Sequence, residues 1–508
     1  MLAKTLTSAV IGVNGLLVEV EVDIAFGLPS FSTVGLPEGA VRESKDRVKA
    51  AIKNCGYEFP NRRITVNLAP ADVKKEGTGY DLPIALCILA AAEILDSRLL
   101  DRYGVIGELS LDGGVRPARG ILPMALSARQ AGLAGILVPS ANAREAAVVD
   151  GIDVIGIDTL HQAVEFLSGV IELSPTTVDV ATIFHDETEY DIDFNEVKGQ
   201  EHVKRALEIA AAGGHNVLMK GPPGSGKTML ARRLPTILPD LTFEEALETT
   251  KIYSVMGLLP ENKPLLTTRP FRAPHHTISD AGLIGGGQVP RPGEVSLAHN
   301  GVLFLDESPE FKKNVLEVLR QPLEDGTVTI ARAAHSLSFP ASFIMVAALN
   351  PCPCGYLGDV KHNCTCTPGQ IHRYETRLSG PLLDRIDLHL EVPSVRFNEM
   401  TQIAGGETSA TIKKRVDRAR QVQVQRYRRH KRIHCNGQMG AREIKKFCQL
   451  DQPSQELIEA VVERLGLSAR SYHRILKIAR TIADLAESAD ITSAHMAEAV
   501  QYRRLDRR

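Results

Sequence analysis

The chain has 508 residues, enough for about two to four domains, and its apolar and charged fractions, 44% and 24%, are those of an ordinary globular protein. The formal net charge is −2, so the overall charge predicts no particular partner and any nucleic-acid surface must be local. There is no long uninterrupted apolar run and no secretory signal pattern, which excludes an obvious membrane span and predicts a cytoplasmic protein with reduced cysteines.

Residues 1–170 alternate short apolar runs with helical patterns. Runs such as LLVEVEVDIA, ITVNLAP and GILVPS predict strands, whereas EGAVRESKDRVKAAIKNCG and DLPIALCILAAAEIL predict helices. Strands interleaved with helices indicate an α/β domain. The stretch 171–194 is acidic and has no periodic apolar pattern, so it is interpreted as a linker.

A glycine-rich loop follows a predicted strand that ends with Val-Leu-Met-Lys. The loop and the start of the next helix comprise Gly221, Pro222, Pro223, Gly224, Ser225, Gly226, Lys227 and Thr228. This G-x-x-x-x-G-K-T pattern is typical of a phosphate-binding loop, because backbone N–H groups and the helix N-terminus can surround the phosphates. Lys227 is then predicted to reach the β- and γ-phosphates of ATP, and Thr228 to bind Mg²⁺. On this motif alone a glycine-rich turn remains an alternative.

Three further apolar strands lie beside polar residues suited to nucleotide hydrolysis. The run GVLFL ends in Asp306 and Glu307, predicted to hold Mg²⁺ through water and to polarise the attacking water, because the carboxyl ends of parallel strands face the ligand. Asn350 ends the run SFIMVAAL and could orient that water. Arg385 precedes the strand LHLEV, either as the partner of a nearby Asp or as an arginine finger for a neighbouring subunit's nucleotide.

Four of the eight cysteines fall within residues 352–366, namely Cys352, Cys354, Cys364 and Cys366. Four thiolates are a common ligand set for structural zinc, although these C-x-C pairs are tighter than the usual C-x₂-C. His362 or His372 could replace one thiol, and unligated thiols are the alternative. Because the cluster directly follows Asn350, a metal there would brace this loop and would not be catalytic.

Residues 394–508 have helical patterns near 408–432, 441–448, 453–465, 468–487 and 492–503. The segment 413–432 contains ten Lys or Arg residues and one acidic residue, Asp417. Such a helix is a solvated face, a partner of acidic neighbours or a DNA-binding surface, for which Arg428 and Arg429 are the candidate contacts.

The runs RPFRAPHHTISDAGLIGGGQVPRPGEVSLAHNGVLFLDE, NPCPCG and LSGPLLDRIDLHLEV resemble the ComM and YifB family of magnesium-chelatase-like AAA+ ATPases. The resemblance covers essentially the whole chain. It implies a P-loop AAA+ α/β core over 195–393 and a C-terminal helical lid over 394–508. It also implies a ring-forming, usually hexameric, ATP-driven helicase that binds single-stranded and branched DNA. Such helicases promote branch migration of DNA junctions in recombination during natural transformation. An ATPase that remodels a partner enzyme, like a magnesium-chelatase motor subunit, is the alternative.

The resemblance also assigns roles to single residues. In chain order these are Lys227 and Thr228 (Walker A), Asp306 and Glu307 (Walker B), Asn350 (first sensor), Arg385 (arginine finger) and Arg470 (second sensor). Arg474 lies one helical turn beyond Arg470 and is a competing second sensor.

Two segments, 283–293 and 327–339, match hairpins that line the central pore of related rings. Arg332 and His335, near the tip of the second hairpin, are the candidate DNA contacts there. Basic side chains on a pore loop can follow phosphates without reading sequence, whereas a solvated hairpin tip is the alternative.

Residues 1–170 resemble the Lon-protease-like domain, of the ribosomal S5 domain 2-like fold, in the motifs KEGTGYDLPIAL and GELSLDGGVRPARGIL. Active proteases of that kind need a nucleophilic Ser and a Lys that activates it. At the matching places this chain has Gly79, which offers no nucleophile, and Arg116, which stays protonated. The resemblance therefore implies a scaffold or a DNA-contacting collar and no protease activity.

Overall fold

The computed structural model describes residues 1–96, 98–186, 190–260, 263–287, 290–331, 336–358, 362–394, 406–430 and 433–503. The strands are β1 Leu2–Ile11, β2 Asn14–Ala25, β3 Ser30–Val34, β4 Arg63–Ala69, β5 Tyr103–Val105, β6 Glu108–Leu109, β7 Val115–Arg116, β8 Gly135–Pro139, β9 Asp153–Ile157, β10 Val217–Lys220, β11 Phe271–Arg272, β12 Gly285–Gly286, β13 Arg291–Pro292, β14 Val302–Leu305, β15 Thr327–Ala331, β16 Ser336–Pro340, β17 Ile344–Leu349 and β18 Leu388–Glu391. The helices are α1 Gly39–Asn54, α2 Asp81–Ala91, α3 Ile121–Gln130, α4 Ala143–Ala146, α5 Leu160–Leu167, α6 Val180–Asp186, α7 Glu201–Gly213, α8 Lys227–Ile237, α9 Phe243–Met256, α10 Asp280–Ile284, α11 Glu294–Leu297, α12 Lys313–Glu317, α13 Arg320–Asp325, α14 Pro368–Glu375, α15 Gly380–Leu383, α16 Ser409–Tyr427, α17 Ala441–Phe447, α18 Gln452–Leu465, α19 Ala469–Leu485 and α20 Ser493–Gln501. Within the described ranges, no helix combines the length and the apolar character needed to span a membrane.

The chain folds into two compact units. The first contains Met1–Glu187 together with Phe243–Thr267, and the second contains Thr188–Thr242 together with Thr268–Arg508. The segment 243–267, assigned from the sequence to the ATPase core, therefore belongs to the first unit. Its helix α9 packs on α3 of the same unit, and the Ser254 hydroxyl of α9 donates to the buried Glu145 carboxylate of α4 at 2.5 Å.

The first unit is built on a mixed seven-stranded sheet with the order β3-β4-β2-β1-β5-β8-β9 within the described residues. β1, β2 and β4 pair antiparallel, and the other pairs are parallel. Helix α2, which is apolar on all sides, is buried against β1 and β2. A helix with apolar residues all round is expected at the centre of a core, and α2 fills that position.

The second unit contains a parallel sheet with the strand order β11-β14-β17-β10-β18 in the described part of the chain. Four of these short strands, β10, β14, β17 and β18, are almost completely buried, as expected for a sheet covered on both faces. The glycine-rich loop follows β10, the acidic pair follows β14, and Asn350 follows β17. Because β17 lies between β14 and β10 and all three are parallel, the three segments meet at one edge of the sheet.

In the described part of the C-terminal region there are five helices, α16 to α20, which agree with the five helical patterns in the sequence. Polar side chains cap the starts of three of them, α16, α18 and α19. The Asp451 side chain accepts the Ser454 N–H at 3.0 Å at the start of α18, and the left-handed Gly466 follows its last turn. The predicted basic helix ends earlier than expected, at Tyr427, so Arg428 and Arg429 lie in the turn beyond α16.

Both expected hairpins are present. Residues 285–286 of β12 pair antiparallel with 291–292 of β13, and β15 pairs antiparallel with β16. The candidate DNA contacts Arg332 and His335 lie outside the described residues.

Candidate nucleotide-hydrolysis site

The glycine-rich loop connects β10 to α8, and backbone packing requires glycine at two of its positions. A Cβ on Gly221 would lie 2.1 Å from the carbonyl oxygen of Val392, so any side chain there would clash with the main chain after β18. Gly226 has a left-handed φ of 88° as the residue before α8. The loop can therefore run close to the sheet edge and direct the first turn of α8 toward a bound anion.

Lys227 is held at the centre of this loop. Its ammonium donates to the carbonyl oxygens of Gly221 and Pro222 at 2.7 and 2.9 Å and to Asn350 Oδ1 at 3.2 Å. The residue is 8% exposed, and burial lowers the pKa of its ammonium while the nearby carboxylates act to raise it. The predicted phosphate-binding lysine and the predicted first sensor thus lie in direct contact.

A hydroxyl and a carboxylate converge beside Lys227. The Thr228 hydroxyl donates to Asp306 Oδ2 at 2.8 Å, and the Glu307 N–H donates to Asp306 Oδ1 at 3.0 Å. Glu307 has a φ of 48°, an uncommon left-handed backbone for a non-glycine residue, and the Ser308 hydroxyl next to it bonds the Ala348 carbonyl at 3.0 Å. Hydroxyl and carboxylate oxygens are the ligands Mg²⁺ prefers, so Thr228 and Asp306 fit this ion, which would neutralise phosphate charge when bound.

Two contacts that the sequence did not predict fix the surroundings of the loop. The Gln200 amide donates to the carbonyl oxygens of Ser225 and Pro393 at 2.9 and 2.8 Å, and Gln200 itself has a left-handed φ of 57°. Lys220, at the end of β10, pairs with Glu375 of α14 at 2.9 Å. Both contacts join segments far apart in sequence, so no local pattern reveals them.

The predicted arginine finger and both second-sensor candidates line one cavity. This arginine pocket, with a volume of about 160 Å³, is bordered by Arg385, Arg470 and Arg474 together with Glu324 and Asp384. None of the residues that line it belongs to the glycine-rich loop. Arg385 and Arg470 therefore border the same cavity. This cavity is separate from the cradle, the group formed by the glycine-rich loop, Asn350 and Asp306 around Lys227.

Arg385 is almost fully buried, with 6% of its surface exposed. Its guanidinium donates to the Pro381 carbonyl at 2.6 Å and forms an ion pair with Glu324, and its Nε has no hydrogen-bond partner among the described residues. The partner is thus Glu324, and neither Asp384 nor Asp387 takes that role.

The two second-sensor candidates differ in their environment. Arg474 Nη1 lies 2.5 Å from Asp387 Oδ1, and the other oxygen of this buried carboxylate is 3.1 Å from His215 Nδ1. Burial alone would raise the pKa of Asp387, but Arg474 and His215 lower it well below its usual value. Arg470 is exposed and forms no ion pair within the described chain. The Arg474 guanidinium is therefore engaged by a buried carboxylate, whereas the exposed Arg470 side chain can contact a ligand.

The four clustered cysteines bring their sulfur atoms together. All four Sγ atoms lie within 4.8 Å of one another, and the Cys352–Cys354, Cys352–Cys364 and Cys354–Cys364 separations are 3.4, 3.7 and 3.6 Å. Four sulfurs around a tetrahedral zinc with Zn–S bonds of about 2.3 Å lie roughly 3.8 Å apart. The donor set therefore fits zinc despite the tight C-x-C spacing.

The thiols of this cluster differ in pKa. N–H groups of Tyr356 and Thr365 bond Cys354 and lower the pKa of its thiol to about 5, which favours a thiolate there. Burial and the neighbouring thiols raise the pKa of Cys366, despite a backbone N–H from Cys354. Neither His362 nor His372 belongs to the group of converging ligand atoms.

Most cations of the basic helix α16 are engaged by acids of the same unit. The pairs are Lys413 with Asp240, Arg415 with Glu208 and Glu407, Arg418 with Glu487, and Arg426 with Asp484. Arg428 and Arg429 are exposed and form no ion pair within the described ranges. One of the alternatives considered from the sequence was pairing with acidic neighbours. This alternative holds for the cations within α16 but not for Arg428 and Arg429 beyond its end.

Gly79 and Arg116, which occupy the places of a protease dyad in the resemblance, do not form a catalytic pair. Gly79 lies in the turn before α2, and Arg116 is exposed, 3.9 Å from Glu108. A glycine and a solvated guanidinium offer neither a nucleophile nor a base.

Comparisons with known proteins identify the family to which the chain belongs. Three family models match: "Magnesium chelatase, subunit ChlI" over residues 193–400, "Subunit ChlI of Mg-chelatase" over 20–142, and "Magnesium chelatase, subunit ChlI C-terminal" over 406–503. The uncharacterized protein YifB of Escherichia coli is 46% identical over 99% of this chain and 97% of its own length. Competence protein ComM of Haemophilus influenzae is 44% identical over 100% of this chain and 98% of its own length.

A more distant relative is the magnesium-chelatase 38 kDa subunit of Rhodobacter capsulatus, which is 27% identical over 40% of this chain and 56% of its own length. The family models and the full-length identities bear out the family predicted from the sequence, and they indicate an ATPase that uses ATP and Mg²⁺. The chain therefore belongs to the YifB and ComM family of magnesium-chelatase-like AAA+ proteins.

Proposed function

We propose that this protein hydrolyses ATP in a homo-oligomeric ring, with six chains as the expected number. The observation that carries the ATPase part is the convergence of Lys227, Thr228, Asp306 and Asn350 at one sheet edge. In this proposal Lys227 binds the β- and γ-phosphates, Thr228 and Asp306 hold Mg²⁺, and Glu307 polarises the attacking water.

The location of the arginine pocket supports a ring. Arg385 and Arg470 border a cavity that contains no residue of the glycine-rich loop. A cationic side chain stabilises phosphoryl transfer only where it reaches the γ-phosphate. We infer that these arginines serve the nucleotide of a neighbouring chain, with Arg385 as the finger and Arg470 as the second sensor.

We further propose that hydrolysis moves single-stranded and branched DNA and drives branch migration of junctions during recombination linked to natural transformation. The support is the 44% identity with a competence protein over 100% of the chain. Arg428 and Arg429, exposed beyond α16, and Arg332 and His335 are the proposed DNA contacts.

The experiment is ATP turnover measured with and without single-stranded or forked DNA, alongside strand displacement on a synthetic junction. We expect DNA to stimulate ATP turnover. We also expect the strands of the junction to be displaced only when ATP is present. Turnover unaffected by DNA, together with no DNA binding, would favour the alternative of an ATPase that remodels a partner enzyme. That alternative rests on the likeness to the magnesium-chelatase 38 kDa subunit.

We propose that the first unit has the Lon-protease-like, ribosomal S5 domain 2-like fold and acts as a scaffold or collar. The Gly79 and Arg116 positions support this, because they lack the chemistry of a serine–lysine dyad. A peptidase assay with and without ATP tests the proposal, and robust cleavage that disappears in a Lys227→Ala variant would contradict it.

We also propose a structural zinc ion bound by Cys352, Cys354, Cys364 and Cys366. The sulfur separations of 3.4–3.7 Å support it. The ion would stabilise the loop that follows Asn350 and take no part in the reaction itself.

A further inference from the structure

A second group of cations surrounds a cleft beside the hydrolysis site. This basic cleft has a volume of about 440 Å³ and is bordered by Lys312, Lys313, Arg373 and Arg377 around a single acid, Glu310. Its size is in the range of ligand-binding pockets, roughly 300–1,000 Å³. Four cations against one carboxylate give the cleft a strongly positive lining.

Three of these cations form no direct ion pair in the described part of the chain, although the charge of Lys313 acts on Glu317 without direct contact. Arg377 pairs with Glu310 at 2.8 Å, with both side chains nearly half exposed. Lys312, Lys313 and Arg373 are exposed, and none makes an ion pair or side-chain hydrogen bond within the described ranges. Like charges held close together repel, and an anion that binds among them relieves that repulsion. The cations of α16, by contrast, are mostly satisfied by acids of their own unit.

The aromatic content of the cleft restricts what kind of anion fits. Phe311 is its aromatic lining residue, and it is only 3% exposed, so it presents no face on which a base could stack. Lys and Arg side chains bind phosphate oxygens without regard to sequence. The lining is thus suited to a phosphate backbone and not to bases.

Both walls of the cleft adjoin catalytic residues. One wall, Glu310 to Lys313, directly follows the turn that carries Asp306 and Glu307. The other wall is the end of α14, where Tyr374 bonds the backbone of Asn350 and Glu375 pairs with Lys220. A ligand in the cleft would therefore contact two segments that hold the hydrolysis site.

We propose that the basic cleft binds the sugar–phosphate backbone of single-stranded nucleic acid next to the hydrolysis site. The inference rests on the proposed DNA function and adds a contact surface to it, distinct from the hairpins and from the end of α16. The contact is independent of sequence, and its affinity depends on salt.

The test is the binding of fluorescent oligothymidylate to the full-length protein across a range of sodium chloride concentrations. Each phosphate neutralised on a single strand contributes about 0.7 to the slope of log affinity against log salt. We expect the Lys312→Glu/Lys313→Glu variant to lose affinity and to show a slope smaller by roughly one to one and a half. The milder Lys312→Gln/Lys313→Gln variant should change both quantities in the same direction.

The matched control is Lys445→Glu/Lys446→Glu, which makes the same charge change at two adjacent exposed lysines of α17 in the second unit. It should leave the slope at the wild-type value. Wild-type binding with an unchanged slope in the cleft variants overturns the inference alone. Absence of binding by wild-type protein contradicts the proposed DNA function as well.

Two further outcomes would show that the cleft binds something other than a nucleic-acid backbone. If inorganic phosphate displaces the oligonucleotide more strongly than chloride at equal ionic strength, the cleft takes free anions and the proposal fails. If the cleft variants lose their assembly state by mass measurement while their slope is unchanged, the cleft is a contact between copies of the chain, and the proposal fails. Equal displacement and intact assembly support it.

Discussion

The cradle around Lys227 and the arginine pocket both collect cations, but they are built differently. In the cradle, Lys227 contacts carbonyl oxygens of its own loop and Asn350, and Thr228 contacts Asp306. In the arginine pocket, Arg385 is paired with Glu324 and Arg470 has no ion-pair partner within the described residues. The cradle brings together the side chains that we propose to bind phosphate and Mg²⁺, whereas the pocket contains cations without a phosphate-binding loop. One chain thus carries two halves of what we propose to be an intersubunit site.

The largest expected effect comes from the cradle. Lys227→Ala should reduce ATP turnover to background, with or without DNA, because no other described side chain takes its place beside Asn350. Steady-state phosphate release measures this. Arg418→Ala, which removes an exposed surface pair with Glu487, is the control and should keep normal turnover. Turnover by the Lys227 variant near the wild-type rate would remove the cradle from the mechanism.

The pocket should show the next largest effect. Arg385→Ala should lower turnover by about 10³-fold while ATP affinity is kept, because the finger acts on the transition state of the neighbouring chain. Mixing Arg385→Ala chains with Lys227→Ala chains should restore part of the activity, since each supplies the half that the other lacks. If verified mixed rings showed no recovery of activity, the proposal that two neighbouring chains share the site would be contradicted.

A Glu324→Ala variant separates catalysis from local structure at the same position. It removes the ion pair of Arg385 but keeps the guanidinium. We expect it to keep much more activity than Arg385→Ala. Equal losses in the two variants would assign Arg385 a purely structural role.

Within the arginine pocket, we expect substitutions of Arg470 and Arg474 to have different effects. Arg470→Ala should reduce turnover by about ten- to a hundredfold, the value of one hydrogen bond to a charged group, with no change in thermal stability. Arg474→Ala should destabilise the second unit by about 3–5 kcal/mol, because it leaves Asp387 buried with one partner fewer. Melting temperatures from calorimetry and rates of ATP turnover, measured for both variants, test this prediction. Equal shifts in melting temperature would contradict the division.

The smallest effect on turnover is expected from the cysteine cluster. Purified protein should contain about one zinc per chain, and the Cys352→Ser/Cys364→Ser variant should contain none. Stability should fall and turnover should decrease only a few-fold, because the metal braces the loop after Asn350 without touching the nucleotide. Elemental analysis measures the metal. Less than about half an equivalent in protein purified without chelator would count against the site.

Local patterns in the sequence predict a large part of this fold. The five C-terminal helices, both hairpins and the strand–loop–helix unit around Lys227 all carry strong periodicity or turn signals, and each is observed. The first strand, Leu2–Ile11, escaped prediction for a clear reason. Its buried face holds Ala3, Thr5 and Thr7, which are small or polar, so the expected alternation of large apolar residues is missing.

Contacts between distant segments account for what the sequence could not give. The pairing of Arg385 with Glu324, the Gln200 amide on the loop and the Asp387–Arg474 pair each join residues far apart in the chain. Charge counting left the role of α16 open, because the acids that neutralise most of its cations come from other elements. The roles of the proposed catalytic residues, the metal and the DNA contacts stay predictions.

The placement of Phe243–Thr267 in the first unit affects how the protein responds to cleavage. The polypeptide leaves the second unit after α8, contributes α9 to the first, and then returns. A protease that cuts once in the segment 171–194, which the sequence predicts to be a linker, would therefore nick the chain without releasing the N-terminal fragment, which stays attached through the packing of α3 on α9. Removing residues 1–186 by truncation would instead strip the apolar partner from α9, and such a fragment should aggregate.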